Sequence, residues 1–149
     1  MQPSHVRKQV FADHAKLRQL LDTLSELTMT FEQGQRGELD RALELAQALQ
    51  LELTEHFAFE DEQLSPVLRE RDSWGPVRAG NLEQHHVVQR EQLRILESER
   101  ARAESPVTLA RAFLVLIDEL RVDMAFEERE LLSQELLSDD FDACDGEDG

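Results

Sequence analysis

Two pairs of ionisable residues set the chemistry open to this chain: His56 with Glu60, and Asp123 with Glu127, each pair four residues apart. On a helix that spacing puts both side chains on one face, a turn apart. The segments around the two glutamates repeat one another, with Ala58-Phe59-Glu60 followed by Leu64 and Ala125-Phe126-Glu127 followed by Leu131. His14 precedes the first pair, and His85 and His86 lie between the two. Imidazole and carboxylate together form an N/O donor set of the kind that holds iron, manganese or zinc. With one coordination position left open, such an ion can activate a small ligand. Taken singly, each residue has a plainer reading. His56 with Glu60 could be an intrahelical pair worth a few tenths of a kcal/mol, and Glu127 could be surface charge beside Glu128 and Glu130. Those readings account for neither the repeated motif nor the common height derived below.

The apolar rhythm shows what must position these groups. Val10, Leu17, Leu21, Leu24, Leu27 and Phe31 recur at three- and four-residue steps, the mark of one buried helical face. The sequence Gly34-Gln35-Arg36-Gly37 ends that helix. A second begins at Leu39, runs to about Arg71 and carries Leu45, Leu49, Leu53, His56, Glu60, Leu64 and Val67 on one stripe, with Pro66 expected to kink or break it. After the turn cluster Asp72-Ser73-Trp74-Gly75-Pro76, Leu82, His86, Leu93 and Leu96 carry a third helix toward Ala103. Ser105-Pro106 offers an N-cap with proline at the first helical position, opening a fourth helix through Leu109, Phe113, Leu116, Leu120, Asp123, Glu127 and Leu131. Four long helices with short connections predict an all-α, antiparallel up-down four-helix bundle over residues 1–137, laid out as a duplicated hairpin.

In an antiparallel hairpin, residues equally far from the turn lie side by side. The sequence midpoint of His14 and His56 falls in the 34–37 turn, that of Glu60 and His86 in the 72–76 turn, and that of His86 and Asp123 beside Ser105. His14, His56, Glu60, His86 (or His85), Asp123 and Glu127 are therefore expected in one layer. His5, nine residues before His14, lies about 13 Å away along the helix and outside it. Burying three carboxylates costs several kcal/mol each unless cations compensate, and no Lys or Arg lies on these stripes at that level. Two divalent ions would supply that charge, offset to zero by one hydroxide.

The remaining composition is mainly exclusionary. Acids outnumber bases 32 to 16, a net charge of −16 that repels nucleic acid and anionic membrane surfaces. Six of the acids fall in residues 138–149, expected to be a solvated disordered tail, yet the rest still carries 26 against 16. The longest apolar run, 112–117, is far too short to span a membrane, and the first ten residues carry no apolar leader segment, so a soluble cytoplasmic protein is expected. The single cysteine, Cys144, has no partner for a disulfide and reads as incidental. Oligomeric state leaves no mark on the sequence.

Asp13-His14, the segment from His56 to Pro66, Glu83-Gln84-His85-His86, and Asp123-Met124-Ala125-Phe126-Glu127 with Leu131 resemble, in this order, the hemerythrin-like (HHE cation-binding) family over about residues 5–137. The resemblance implies a four-helix bundle with a non-haem di-iron centre bridged by the two glutamate positions and an oxo or hydroxo group. It gives ligand roles to His14, His56, Glu60, His86 or His85, and Glu127, and a function in sensing or reacting with oxygen, peroxide or nitric oxide, or in handling iron. The chain departs from the family pattern at two points. Asp123 stands where a histidine is usual, and neither His85 nor His86 has a second histidine four residues away. Both departures weigh against reversible oxygen carriage, and a more oxygen-rich site suits higher oxidation states of iron, or manganese, with zinc open on ligand type. A ferritin-like oxidase would show Glu-x-x-His twice, whereas here it occurs once, at Glu83 and His86. The lack of tyrosine excludes a stored tyrosyl radical. Two other readings compete with a di-iron protein. One is a single-ion site built from His14, His56, Glu60 and Glu127, and the other is a non-catalytic helical interaction or regulatory module with a degenerate site.

Overall fold

The computed structural model describes residues 1–32, 39–102 and 106–139. Helix α1 is Pro3–Glu32 and α2 is Leu39–Phe59; a single π turn, Glu60–Leu64, leads into α3, Ser65–Arg71; α4 is Gly75–Arg102 and α5 is Pro106–Glu130. The α2, π and α3 segments follow without a break and act as one rod, so the molecule is the four-helix bundle that the apolar rhythm implies. Helix α1 packs on α2 and α5, and α4 packs on α3 and α5. The expected turn at 34–37, the Ser105 cap, Ala103 and the tail from 140 onward, with Cys144, lie outside the described residues.

At Pro66 the rod does not simply kink. Proline has no N–H to donate one turn back, and its ring crowds the carbonyl there. The preceding turn widens instead, and the Ser65 N–H bonds the Glu60 carbonyl five residues back. This register shift carries the buried stripe through Leu64, Leu68 and Arg71, leaving Val67 only half-buried in place of the core position expected for it.

The turn into α4 is closed by Asp72, whose carboxylate accepts from the Trp74 backbone N–H at 2.9 Å and pairs with Arg78 at 2.7 Å. A Cβ at position 75 would collide with the backbone carbonyls of Leu68 and Arg69, so glycine is required there. After α5 the chain packs back on the bundle. Leu131, Leu132 and Leu137 are buried, Arg71 donates to the carbonyls of Leu136 and Ser138, and the Asp139 carboxylate accepts from the Ser4 N–H at 2.9 Å.

The core has two parts. Leu17, Leu21, Leu49, Leu53, Phe113, Ile117 and Leu120 belong to a larger cluster, and Val6, Val10, Leu64, Leu68, Leu82 and Leu132 to a smaller one. Each fully buried leucine contributes about 1.5–3 kcal/mol. Between them sits a buried polar layer of His14, His56, Glu60, His86 and Glu127. The bundle thus has apolar packing on both sides of the layer. Among the described residues, no helix is long and apolar enough to cross a membrane.

Candidate metal centre

Four of the sequence-selected residues converge. His14 from α1, His56 from α2, Glu60 from the π turn and Glu127 from α5 each offer one ligand atom, and these atoms all lie within 4.8 Å of one another. His56 Nε2 is 2.7 Å from Glu60 Oε1, and His14 Nε2 is 3.3 Å from Glu127 Oε1. His86 from α4 joins on the other side of Glu60, with Nε2 3.2 Å from Oε1. Phe57 stacks on the His86 ring at 4.7 Å between centroids, and the His14 and His56 rings meet edge to face at 5.1 Å.

His14 Nε2, His56 Nε2, Glu60 Oε2 and Glu127 Oε1 are all buried without an aligned hydrogen-bond partner. Each such group ordinarily costs about 1–3 kcal/mol, and four of them aimed at one point are what a cation would satisfy together. The donor set therefore fits a metal ion. Glu60 and Glu127 would contribute anionic oxygens, and the imidazoles would contribute neutral nitrogens.

The outward nitrogens of all three rings are held by carboxylates. Glu128 lies 2.7 Å from His14 Nδ1 and is itself gripped by both terminal nitrogens of Arg18. Asp13 lies 3.0 Å from His56 Nδ1, and Asp61 lies 2.7 Å from His86 Nδ1 while bonding Arg90 at 3.0 Å. Burial pushes the Asp13 and Glu128 carboxyls up, but bonds from His56 and Gln9 in one case, and from Arg18 and His14 in the other, outweigh it and hold both below the usual range. Such outer carboxylates fix the ring so that Nε2 faces inward and raise its basicity as a ligand. Replacing Asp13 by Asn should weaken metal binding about 10- to 100-fold, read by competition with a chromogenic chelator. Unchanged affinity would remove His56 from the ligand set.

The inner carboxylates lie close together in a buried layer and cannot both carry full charge there. Burial, reinforced by the Glu127 charge, pushes the Glu60 carboxyl well above the usual range. Burial also acts upward on Glu127, but bonds from Glu60 and His14 overcome it and bring that carboxyl down to about 2. Burial pulls the His86 imidazole down, yet its bonds to Glu60 and Asp61 raise it overall. Without metal, then, the layer keeps a proton on Glu60 and favours one on His86. A bound cation replaces them.

Asp123 does not join the convergent set. It accepts from Gln89 Nε2 at 2.5 Å and lines a small interior cavity that His14, His56, Glu60 and Glu127 also line. His85, one position from His86 and so about 100° round the helix, stands outside the layer against Phe126 at 5.6 Å. His86 is therefore the α4 histidine that faces the centre. His5 is exposed.

The supporting residues Asp13, Asp61, Glu128 and Gln89 were not singled out as contributors from the sequence, though three of them carried a signal. Each of the three carboxylates is a chain neighbour of a convergent residue, Asp13 of His14, Asp61 of Glu60 and Glu128 of Glu127, and each serves a histidine on a different helix. A one-residue step turns a side chain toward the adjacent helix. Gln89 gave no comparable signal.

A four-helix bundle with a buried layer of three histidines and two glutamates is a cation-binding helical fold. The hemerythrin HHE cation-binding domain matches residues 5–134, most of the chain, and the protein belongs to that family. No significant match to a curated protein or to a solved structure is found.

Proposed function

We propose that the chain is a cytoplasmic dinuclear-metal protein, with iron as the resident metal, that senses or reacts with oxygen, peroxide or nitric oxide. The supporting observation is the convergence of four buried, hydrogen-bond-deficient donor atoms from α1, α2, the π turn and α5. Two ions match the layer's extent, because His86 and Asp123 lie beyond the compact set of four while Glu60 contacts histidines on both sides. Iron bound there supplies redox chemistry and Lewis acidity. The chain's own residues set what reaches it. Leu17, Leu21, Leu53, Leu120 and Met124 close the cavity beside the ligands and leave about 20 Å³. That is room for roughly one water-sized molecule. Metal bound among the ligands would fill much of that space, so the apolar walls leave no room for an organic substrate and suit a diatomic or peroxide ligand.

A mononuclear reading also has support, since the four residues within mutual reach are His14, His56, Glu60 and Glu127 and His86 can serve as a hydrogen-bond partner of Glu60. Metal analysis of protein purified without chelator separates the two. Two irons per chain with ferric charge-transfer absorption support the dinuclear reading, one supports the mononuclear reading, and a protein that neither contains nor takes up metal excludes both.

Asp123→His provides a further check. Anchored by Gln89, Asp123 keeps an anionic oxygen at the edge of the layer. Histidine there offers a neutral nitrogen donor and should raise the iron reduction potential while the fold is kept. Redox titration with circular dichroism reads both, and an unchanged potential and spectrum would place Asp123 outside the influence of the centre.

A further inference from the structure

The layer is sealed on almost every side, so a hydrated ion needs a way in. Along the bundle axis both directions are blocked by apolar clusters, and carrying a charge through either is prohibitively costly. Sideways there are four seams. Between α1 and α2 the Asp13–His56 bond closes the gap. Between α1 and α5 the His14–Glu128–Arg18 group does so. Between the π turn and α4 it is His86, Asp61 and Arg90.

The α4–α5 seam differs. At layer height it is closed by the Gln89–Asp123 bond, which lacks a cationic partner, and outside that bond lies a groove of about 310 Å³. Asp118, Glu119 and His85 line the groove, and Asp123 lines both the groove and the interior cavity. Gln92 bonds Glu119 and leaves its own buried carbonyl oxygen without a partner beside the groove. Beyond Asp123, Glu60 is only 1% exposed and turns an unpartnered Oε2 into that same cavity. Oxygen donors thus run from the surface to the centre at this seam.

We infer that divalent cations reach the centre through the α4–α5 groove, drawn in by Asp118 and Glu119 and passed inward at Asp123 when its bond to Gln89 opens. A concave, acid-lined mouth concentrates cations and speeds their capture, and the effect fades as salt screens it. The inference rests on the metal-binding reading above and concerns only how the ion arrives.

Stopped-flow loading of the metal-free full chain with Co²⁺, followed by visible absorption, tests it. The double substitution Asp118→Asn with Glu119→Gln should slow loading about tenfold at low ionic strength, with the final stoichiometry unchanged and the difference shrinking at high salt. Val122→Trp, on a groove-lining side chain that is 67% exposed, should slow loading by obstruction at both salt levels. Asp40→Asn with Glu44→Gln removes the same charge from an exposed stretch of α2 and should leave the rate unchanged. Loading at the parent rate in both groove variants, or slowed equally by the α2 pair, overturns the route while leaving the metal site intact. A parent protein that takes up no Co²⁺ overturns the metal reading and the route with it.

Discussion

Glu60→Gln should give a protein that is at least as stable as the parent without metal, yet binds metal at least about 100-fold more weakly. The two effects have opposite signs because Glu60 has opposite roles in the two states. In the metal-free layer it is a carboxyl group 1% exposed beside Glu127, and a nearly isosteric amide removes the conflict between them. An amide cannot ionise, so the cost of burying a second carboxylate charge no longer opposes folding. In the loaded state the same change removes the negative charge and one of the two oxygens that Glu60 offers between His56 and His86. Apolar packing on both sides of the layer keeps the variant folded. Chemical denaturation of metal-free protein, paired with metal titration, checks both halves. A purely structural Glu60 would instead show lower stability and no metal dependence.

Stripping metal from the loaded parent should lower Tm by about 10 °C at pH 8. Free metal at a thousand times Kd contributes about 4 kcal/mol, and a domain of this size shifts by roughly 2–4 °C per kcal/mol. The gap should narrow toward pH 5.5. Between the ordinary glutamate value of 4.5 and its raised folded value, Glu60 binds more protons in the folded state than in the unfolded, so metal-free stability falls as pH rises through that interval. His86 adds to the trend, because its contribution is complete below 6.5 and is lost as pH climbs through its raised folded value. Glu127, held down at about 2, changes nothing above pH 5. The loaded protein moves the other way, since metal displaces those protons and binds more tightly as pH rises. Melting curves with and without chelator at both pH values read the effect. A gap independent of pH would mean that the layer holds no displaceable proton.

Much of this arrangement was legible in the sequence because helical period and hairpin symmetry are strong constraints. The three turn midpoints placed His14, His56, Glu60 and His86 at one height, and the stripes through Leu49, Leu53, Leu120 and Leu131 turned the ligand candidates inward. Spacing favoured His86 over His85 without deciding between them. Packing decides, by burying one ring against Phe57 and leaving the other beside Phe126 at the groove. The π turn was not legible, since proline announces a disruption without saying whether the helix bends or widens, and here it widens at the residue that supplies a ligand. The spacing of Asp123 and Glu127 matched that of His56 and Glu60, but the shorter aspartate is engaged by Gln89, a polar residue with no periodic signature. The outer carboxylates were hidden for a related reason. Each works for a histidine distant in sequence, so its role emerges only when the helices are side by side.

Anomalous diffraction at the iron edge, from crystals of the iron-loaded chain, shows whether this layer is a metal centre. Two peaks flanking Glu60 and Glu127 are expected, one beside His14 and His56 and the other on the His86 side. A single peak among His14, His56, Glu60 and Glu127 would reduce the centre to one ion. No peak in the layer, from protein shown to contain iron, would mean that the iron binds elsewhere and that the layer is not a metal centre.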